Sequence, residues 1–241
     1  MTFKGSRFLI AFVCLLGFTA SLQAKEQSVQ LEGETIKYSL PDGFCLLDPE
    51  NQPFDKVFAN TIIKAQKGIN IVLNIIVSCE DLKQARSFQV VDGLHYSILM
   101  VPTPNGSSPV RLPSGLENSL IFNQIKPTLQ QGASDVDQQE VTDRVNKALT
   151  ENIGSADDFV KFDGIQQLGV LGEDADGLHA GLLISGSAAG MKQHLAAVLT
   201  YVPIKNYILT LNTYQPFKDK NSYVQLMERA RWMTTDLVER N

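Results

Sequence analysis

The chain is short of the residues that make chemistry easy to recognise. Its 241 residues include three cysteines, three histidines and one tryptophan. His95, His179 and His194 are too scattered for HExxH or HxH metal spacing. CxxC does not occur, which removes the common redox and zinc-ribbon arrangements. Neither GxGxxG nor GxxxxGK occurs, so no phosphate-cradling loop can be assigned. A basic cluster is missing too, and the formal charge of −5 disfavours nucleic acid and anionic lipid as partners. Beyond the first 24 residues there is no long apolar run. The best candidate, 69–77, is about half the ~20 residues a helical span needs and is interrupted by Asn70 and Asn74.

What is present begins with an export signal over residues 1–24. Lys4 and Arg7 make a positive start, 8–18 is an apolar run, and Ala20, Ser21 and Ala24 supply small residues near a cut after Ala24. An uncleaved anchor is the competing reading, and the polar Lys25, Glu26 and Gln27 argue against it. Cleavage removes Cys14 with the signal and takes the formal charge from −5 to −7, since Lys4 and Arg7 leave. The expected product, residues 25–241, is one exported soluble domain, periplasmic or secreted, with no membrane span.

Two cysteines then remain, Cys45 and Cys79. An even pair in an oxidising compartment predicts a disulfide. Closing a loop of about 35 residues restricts the unfolded chain by roughly 4 kcal/mol on the loop-entropy estimate. No His or further Cys stands at ligand spacing beside either residue, which argues against a metal or redox thiol.

Hydrophobic alternation predicts a hairpin over 27–40 with its turn at Glu32-Gly33. Val57, Phe58, Ile62 and Ala65 fall at helical spacing from Phe54. The β-branched run 69–77 reads as a central strand, 80–86 as a short polar helix, and 94–101 as another strand. The breaker-rich stretch 102–115 reads as an exposed, mobile loop. Helices follow over 116–131, broken at Pro127, and over 135–152 with Ser134 as cap. Strands at 164–171, 178–185, 192–202 and 207–214 pair around turns. A final amphipathic helix from Ser222 places Tyr223, Leu226, Met227, Ala230, Met233, Thr234 and Leu237 inward. The predicted fold class is therefore α+β: a twisted, mostly antiparallel sheet covered by helices and closed by a C-terminal amphipathic helix.

Two resemblances attach to these residues. Leu40-Pro41-Asp42-Gly43-Phe44 after an opening hairpin, with a closing hairpin and the 222–241 helix, resembles the α/β/α sandwich of the PsbP and DcrB family. The run 40–45, then Asp48-Pro49, a second Cys 34 residues after the first and a terminal helix ending in Asn also resemble exported proteobacterial proteins of unknown function. The first resemblance implies a non-enzymatic role in assembling or accompanying an envelope or membrane complex, and carries no catalytic residue over. Segment 102–152 lies outside it.

Each histidine falls within a predicted strand, where a half-exposed or hydrogen-bonded side chain is the ordinary outcome. Ser185-Gly186-Ser187 lacks the G-x-S-x-G frame of a nucleophile elbow. Glu173-Asp174-Ala175-Asp176-Gly177 could hold Ca²⁺, but Asp and Gly are also what a tight turn selects. Asp157-Asp158 has the same explanation, and Asn105-Gly106-Ser107 is a glycosylation acceptor only in a eukaryotic pathway. Arg229, Arg231 and Arg240 with Trp232 read as the solvated side of the last helix, so that Arg229→Ala should change stability by no more than about half a kcal/mol. No catalytic, cofactor-binding or metal residue is assigned, and no cofactor is implied; the only assigned pair is Cys45 with Cys79. The favoured function is a non-catalytic binding or envelope-assembly module with an envelope protein or complex as partner. The alternatives are an enzyme whose dispersed site uses a His with a carboxylate, and a small-ligand carrier. A histidine beside a carboxylate in a pocket would favour the enzyme.

Overall fold

A computed structural model describes residues 25–87, 89, 93–104, 106, 108–130, 137–154 and 159–241. The export signal, Ser134, Asp157, Asp158 and the ends of the Asn105–Ser107 sequon fall outside them.

Period-two alternation sets up the opening hairpin, β1 (Glu26–Leu31) and β2 (Glu34–Ser39), with Val29 opposite Ile36. Its two turn residues, Glu32 and Gly33, both have positive φ, as the tight turns that match strand twist require. The hairpin buries Leu31, Ile36 and Tyr38.

The remaining strands are β3 (Phe44–Leu46), β4 (Asn70–Ser78), β5 (Tyr96–Pro102), β6 (Val160–Glu173), β7 (Leu178–Ala188), β8 (Met191–Ile204) and β9 (Tyr207–Pro216). They form one seven-stranded sheet in the order β3-β4-β5-β9-β8-β7-β6, antiparallel throughout. Five helices accompany it: α1 (Pro53–Gln66), α2 (Cys79–Arg86), α3 (Asn118–Gln130), α4 (Gln138–Ile153) and α5 (Asn221–Glu239). This is the α+β arrangement expected from the sequence.

Both faces of the sheet are covered. On one face Ile76, Leu99, Leu209 and Leu211 pack with the hairpin and with Met233 and Leu237 of α5, while Ala196 and Val198 meet Leu226 and Ala230. On the other, Ile75, Val77, Ile98 and Met100 lie under α1 and α2, and Leu178 and Ala180 under Ile121, Phe122 and Leu129 of α3. Helix α4 packs against α1 and β6. The mostly apolar character of 69–77 follows from this: a strand covered on both faces needs no regular polar side. Leu226, Ala230, Met233, Thr234 and Leu237 of α5 are buried as the helical spacing predicted.

Several local expectations are corrected. Helix α3 runs on through Pro127. Pro127 and Asn123, whose carbonyl loses its partner, are both exposed, so water can replace the missing bond, and only three residues follow the proline. Asp137 caps α4, accepting from the backbone N–H of Gln139 (2.9 Å) and Glu140 (3.1 Å). Strand β6 is longer than 164–171 because three bulges, beside Gly164, Gly169 and Gly172, hide its alternation. His95 precedes β5 and does not lie in it. Within 102–115, Pro102 belongs to β5, Thr103 is buried, and Arg111 bridges to Tyr207 while pairing with Glu32 at 2.8 Å.

Candidate functional site

Cys45 and Cys79 are bonded, with Cα atoms 5.1 Å apart. The bond ties β3 to the start of α2, and Cys79 N–H donates to the Gly43 carbonyl (2.8 Å). Gly43 has φ of 78°, a left-handed turn residue that directs the chain into Phe44. Phe44 in turn pairs with Ser78 across β3 and β4. These contacts fix residues 41–44 against residues 78–81, and the two segments make one wall of an open cleft of about 630 Å³. The opposite wall is α5, through Gln225, Glu228, Arg229 and Trp232.

The first turn of α2 provides the cleft's acids. Ser78 Oγ caps the helix by accepting from Asp81 N–H (3.3 Å), and Glu80 and Asp81 sit favourably at the positive end of the helix dipole. Asp81 Oδ2 accepts from the His95 backbone N–H at 2.7 Å and lies 2.8 Å from His95 Nδ1. A carboxylate only accepts, so Nδ1 carries the hydrogen and Nε2 is the basic nitrogen. Among the described residues nothing hydrogen-bonds Nε2. With Ser78 Oγ engaged as a cap, the pair has no nucleophile in place.

Arg229 is the unusual group. Its guanidinium lies over the Phe44 ring at 4.9 Å, and Nη2 donates to the Tyr214 carbonyl at 2.9 Å. Nε is buried without a partner, and no carboxylate stands within 4.0 Å among the described residues. Burial lowers its pKa to about 10, with Asp81 opposing the shift, so the group stays charged at neutral pH. This corrects the reading of Arg229 as part of a solvated face. Position 229 is three residues after Leu226 and four before Met233, which places it beside the buried stripe. Trp232 does project, with 43% of its surface exposed.

The three histidines are not brought together by any hydrogen bond. His179, on β7, is fully buried, with Nδ1 2.9 Å from Thr200 Oγ1 and Nε2 3.0 Å from Asp174 Oδ2. Desolvation lowers its pKa, only partly offset by Asp174. His194 is exposed on β8, 3.0 Å from Ser185 Oγ. No acid completes that pair among the hydrogen bonds of the described residues. Gly186 owes its identity to packing: a Cβ there would lie 2.3 Å from the Lys161 carbonyl of β6. The 173–177 run is a hairpin turn, Asp174 accepting from the N–H groups of Asp176 (3.1 Å) and Gly177 (2.9 Å). Its acids dock α5, since Asp176 accepts from Thr235 at 2.9 Å and Asp174 lies 3.6 Å from Arg231. Among the described residues no group of three or more His, Cys, Asp or Glu is arranged to hold a metal.

The sequence alone therefore pointed to the disulfide but not to the cleft. Asp81, His95, Phe44 and Arg229 come from four separate segments, three elements and the loop before β5, and no motif links them. The helical position of Arg229 was the one available signal.

No family model matches this chain, and no curated protein matches it. Among solved structures, it is similar to LpqN, described as involved in cell envelope biogenesis of Mycobacterium tuberculosis. That match has 14% identity over 88% of this chain and 89% of that one, with a TM-score of 0.30. It is also similar to the cyanobacterial PsbP of Synechocystis sp. PCC 6803, with 10% identity over 92% and 96% of the two chains and a TM-score of 0.32. At these scores neither likeness bears on function, and the fold class rests on the strands and helices described above.

Proposed function

We propose that the protein is an exported, non-catalytic binding module that docks an envelope partner in the cleft between residues 41–44, residues 78–81 and α5. The observation that carries the reading is Arg229, a desolvated cation held against Phe44 with no carboxylate of its own. An unpaired buried charge is costly to keep, and a bound group would compensate it. The export signal and the Cys45–Cys79 bond support an oxidising compartment. No described helix is long and apolar enough to cross a membrane. The cleft is broadly open to solvent, which suits a macromolecular partner better than an enclosed small ligand.

The test is photocrosslinking in the native host. A benzophenone amino acid at position 232 should form one adduct with a component of the compartment, lost when Arg229→Gln is added. The same probe at position 153, exposed on α4, should not form it. No adduct at 232, or the same adduct at both positions, would overturn the reading. A hydrolytic role has one observation in its favour, the His95–Asp81 pair with Nε2 open, which meets the condition stated above for an enzyme, a histidine beside a carboxylate in a pocket. It requires a nucleophile that Ser78, engaged as a cap, does not supply.

A further inference from the structure

Resting on that reading, we propose that the cleft recognises the C-terminal carboxylate of a polypeptide whose preceding residues are positively charged. The carboxylate site is Arg229. A guanidinium presents its donors as a planar fork matched to a carboxylate, and stacking over Phe44 holds that fork still. Only Nη2 and the Tyr214 carbonyl are joined, so Nη1 has no protein acceptor among the described residues. Asp81 eases the charge from a distance, but its Oδ2 is occupied by His95.

The rim of the same cleft is acidic. Asp42, Glu80 and Glu228 line it, all three exposed, and among the described residues Arg229 is its only lysine or arginine. A free di- or tricarboxylate would meet one cation surrounded by repulsion. A chain that ends in a single carboxylate and carries lysine or arginine just before it meets attraction at both places. His95 Nε2 is the available acceptor for a peptide N–H, and Trp232 offers an aromatic face to an upstream cation.

Trp232 is the only tryptophan of the chain, so its emission reports on the cleft directly. The probe is a pool of hexapeptides with lysine at the third and fifth positions from the end and random last two residues. It is made once as the free acid and once as the C-terminal amide. The free-acid pool should shift Trp232 emission saturably, and the amide should bind at least tenfold more weakly. Arg229→Lys, which keeps the charge but not the fork, should weaken the free-acid pool by a similar factor while leaving the urea midpoint near wild type. Glu228→Gln should weaken the lysine pool by a smaller factor and leave a lysine-free pool unchanged. Equal binding of acid and amide would overturn the carboxylate assignment and leave the docking function standing. Equal competition by citrate would assign the site to a small polycarboxylate and overturn it too. No saturable shift with either pool would also overturn it, and if position 232 also forms no adduct, the docking function falls with it.

Discussion

Arg86 and Arg229 are both partly sunk arginines on helices, and the protein treats them in opposite ways. Arg86 meets the fully buried Asp55 through two bonds, Nε at 3.0 Å and Nη2 at 2.5 Å, joining α2 to α1. Asp55 also accepts from the Asp48 backbone N–H at 2.6 Å, so the pair is closed on itself. Arg229 meets a carbonyl and a ring, and its charge is left over. A closed ion pair fixes structure; an open one has capacity for something else. The two histidine–aspartate pairs divide the same way. His179 is sealed between Thr200 and Asp174, and His95 faces the cleft with one nitrogen unengaged.

The sharpest way to break this comparison is to cut the closed pair. Arg86→Met strands the carboxylate of Asp55 at 0% exposure and should destabilise by about 3–5 kcal/mol in urea melts. Leu226→Ala comes next. Leu226 is fully buried between α5 and β8 and should cost roughly 2–5 kcal/mol, as large-to-small core changes do.

A smaller effect belongs to His179. The folded state holds His179 below the ordinary histidine pKa, chiefly by burial. As pH falls through about 6.5, the unfolded chain gains a proton that the folded one refuses. Stability is therefore complete above that value and lost toward the lower folded pKa. Asp174, lowered on balance by His179 and two backbone N–H groups despite its own desolvation, adds a loss only at more acidic pH. The urea midpoint should fall between about pH 7.5 and about pH 5, and His179→Gln should flatten that slope. The smallest effect belongs to Arg229→Met. Losing the bond to Tyr214 is offset by removing an uncompensated charge, so the midpoint should move by less than about 1 kcal/mol. A loss as large as that of Arg86→Met would show that Arg229 is structural and end the comparison.

How far these features were legible depends on the range of the interaction that sets them. The hairpin at 26–39, the strand at 70–78 and the stripe of α5 follow from patterns of a few residues, and all are present in the structure. β3 is three residues long, too short to carry a period, and it exists because β4 and the disulfide hold it. Only 164–171 of β6 is legible as a strand, because each bulge resets the alternation. Asp55 and Arg86 are 31 residues apart, and Asp81 and His95 are 14 apart with α2 between, so no local pattern couples either pair. Arg229 runs against its chemistry: a charged residue beside a buried stripe is expected to face water, whereas its guanidinium meets a ring and a carbonyl.

The Cys45–Cys79 bond has a consequence in time as well as in space. It is the covalent link that holds the two halves of one cleft wall together, the Phe44 segment and the start of α2. In a reducing cytoplasm the same junction would depend on a three-residue strand pairing and the N–H of Cys79 alone. On the proposed function, a precursor awaiting export would thus carry an unfinished recognition surface, and oxidation after translocation would complete it. Fold maturation and the onset of partner capture would then be a single event, timed by the compartment.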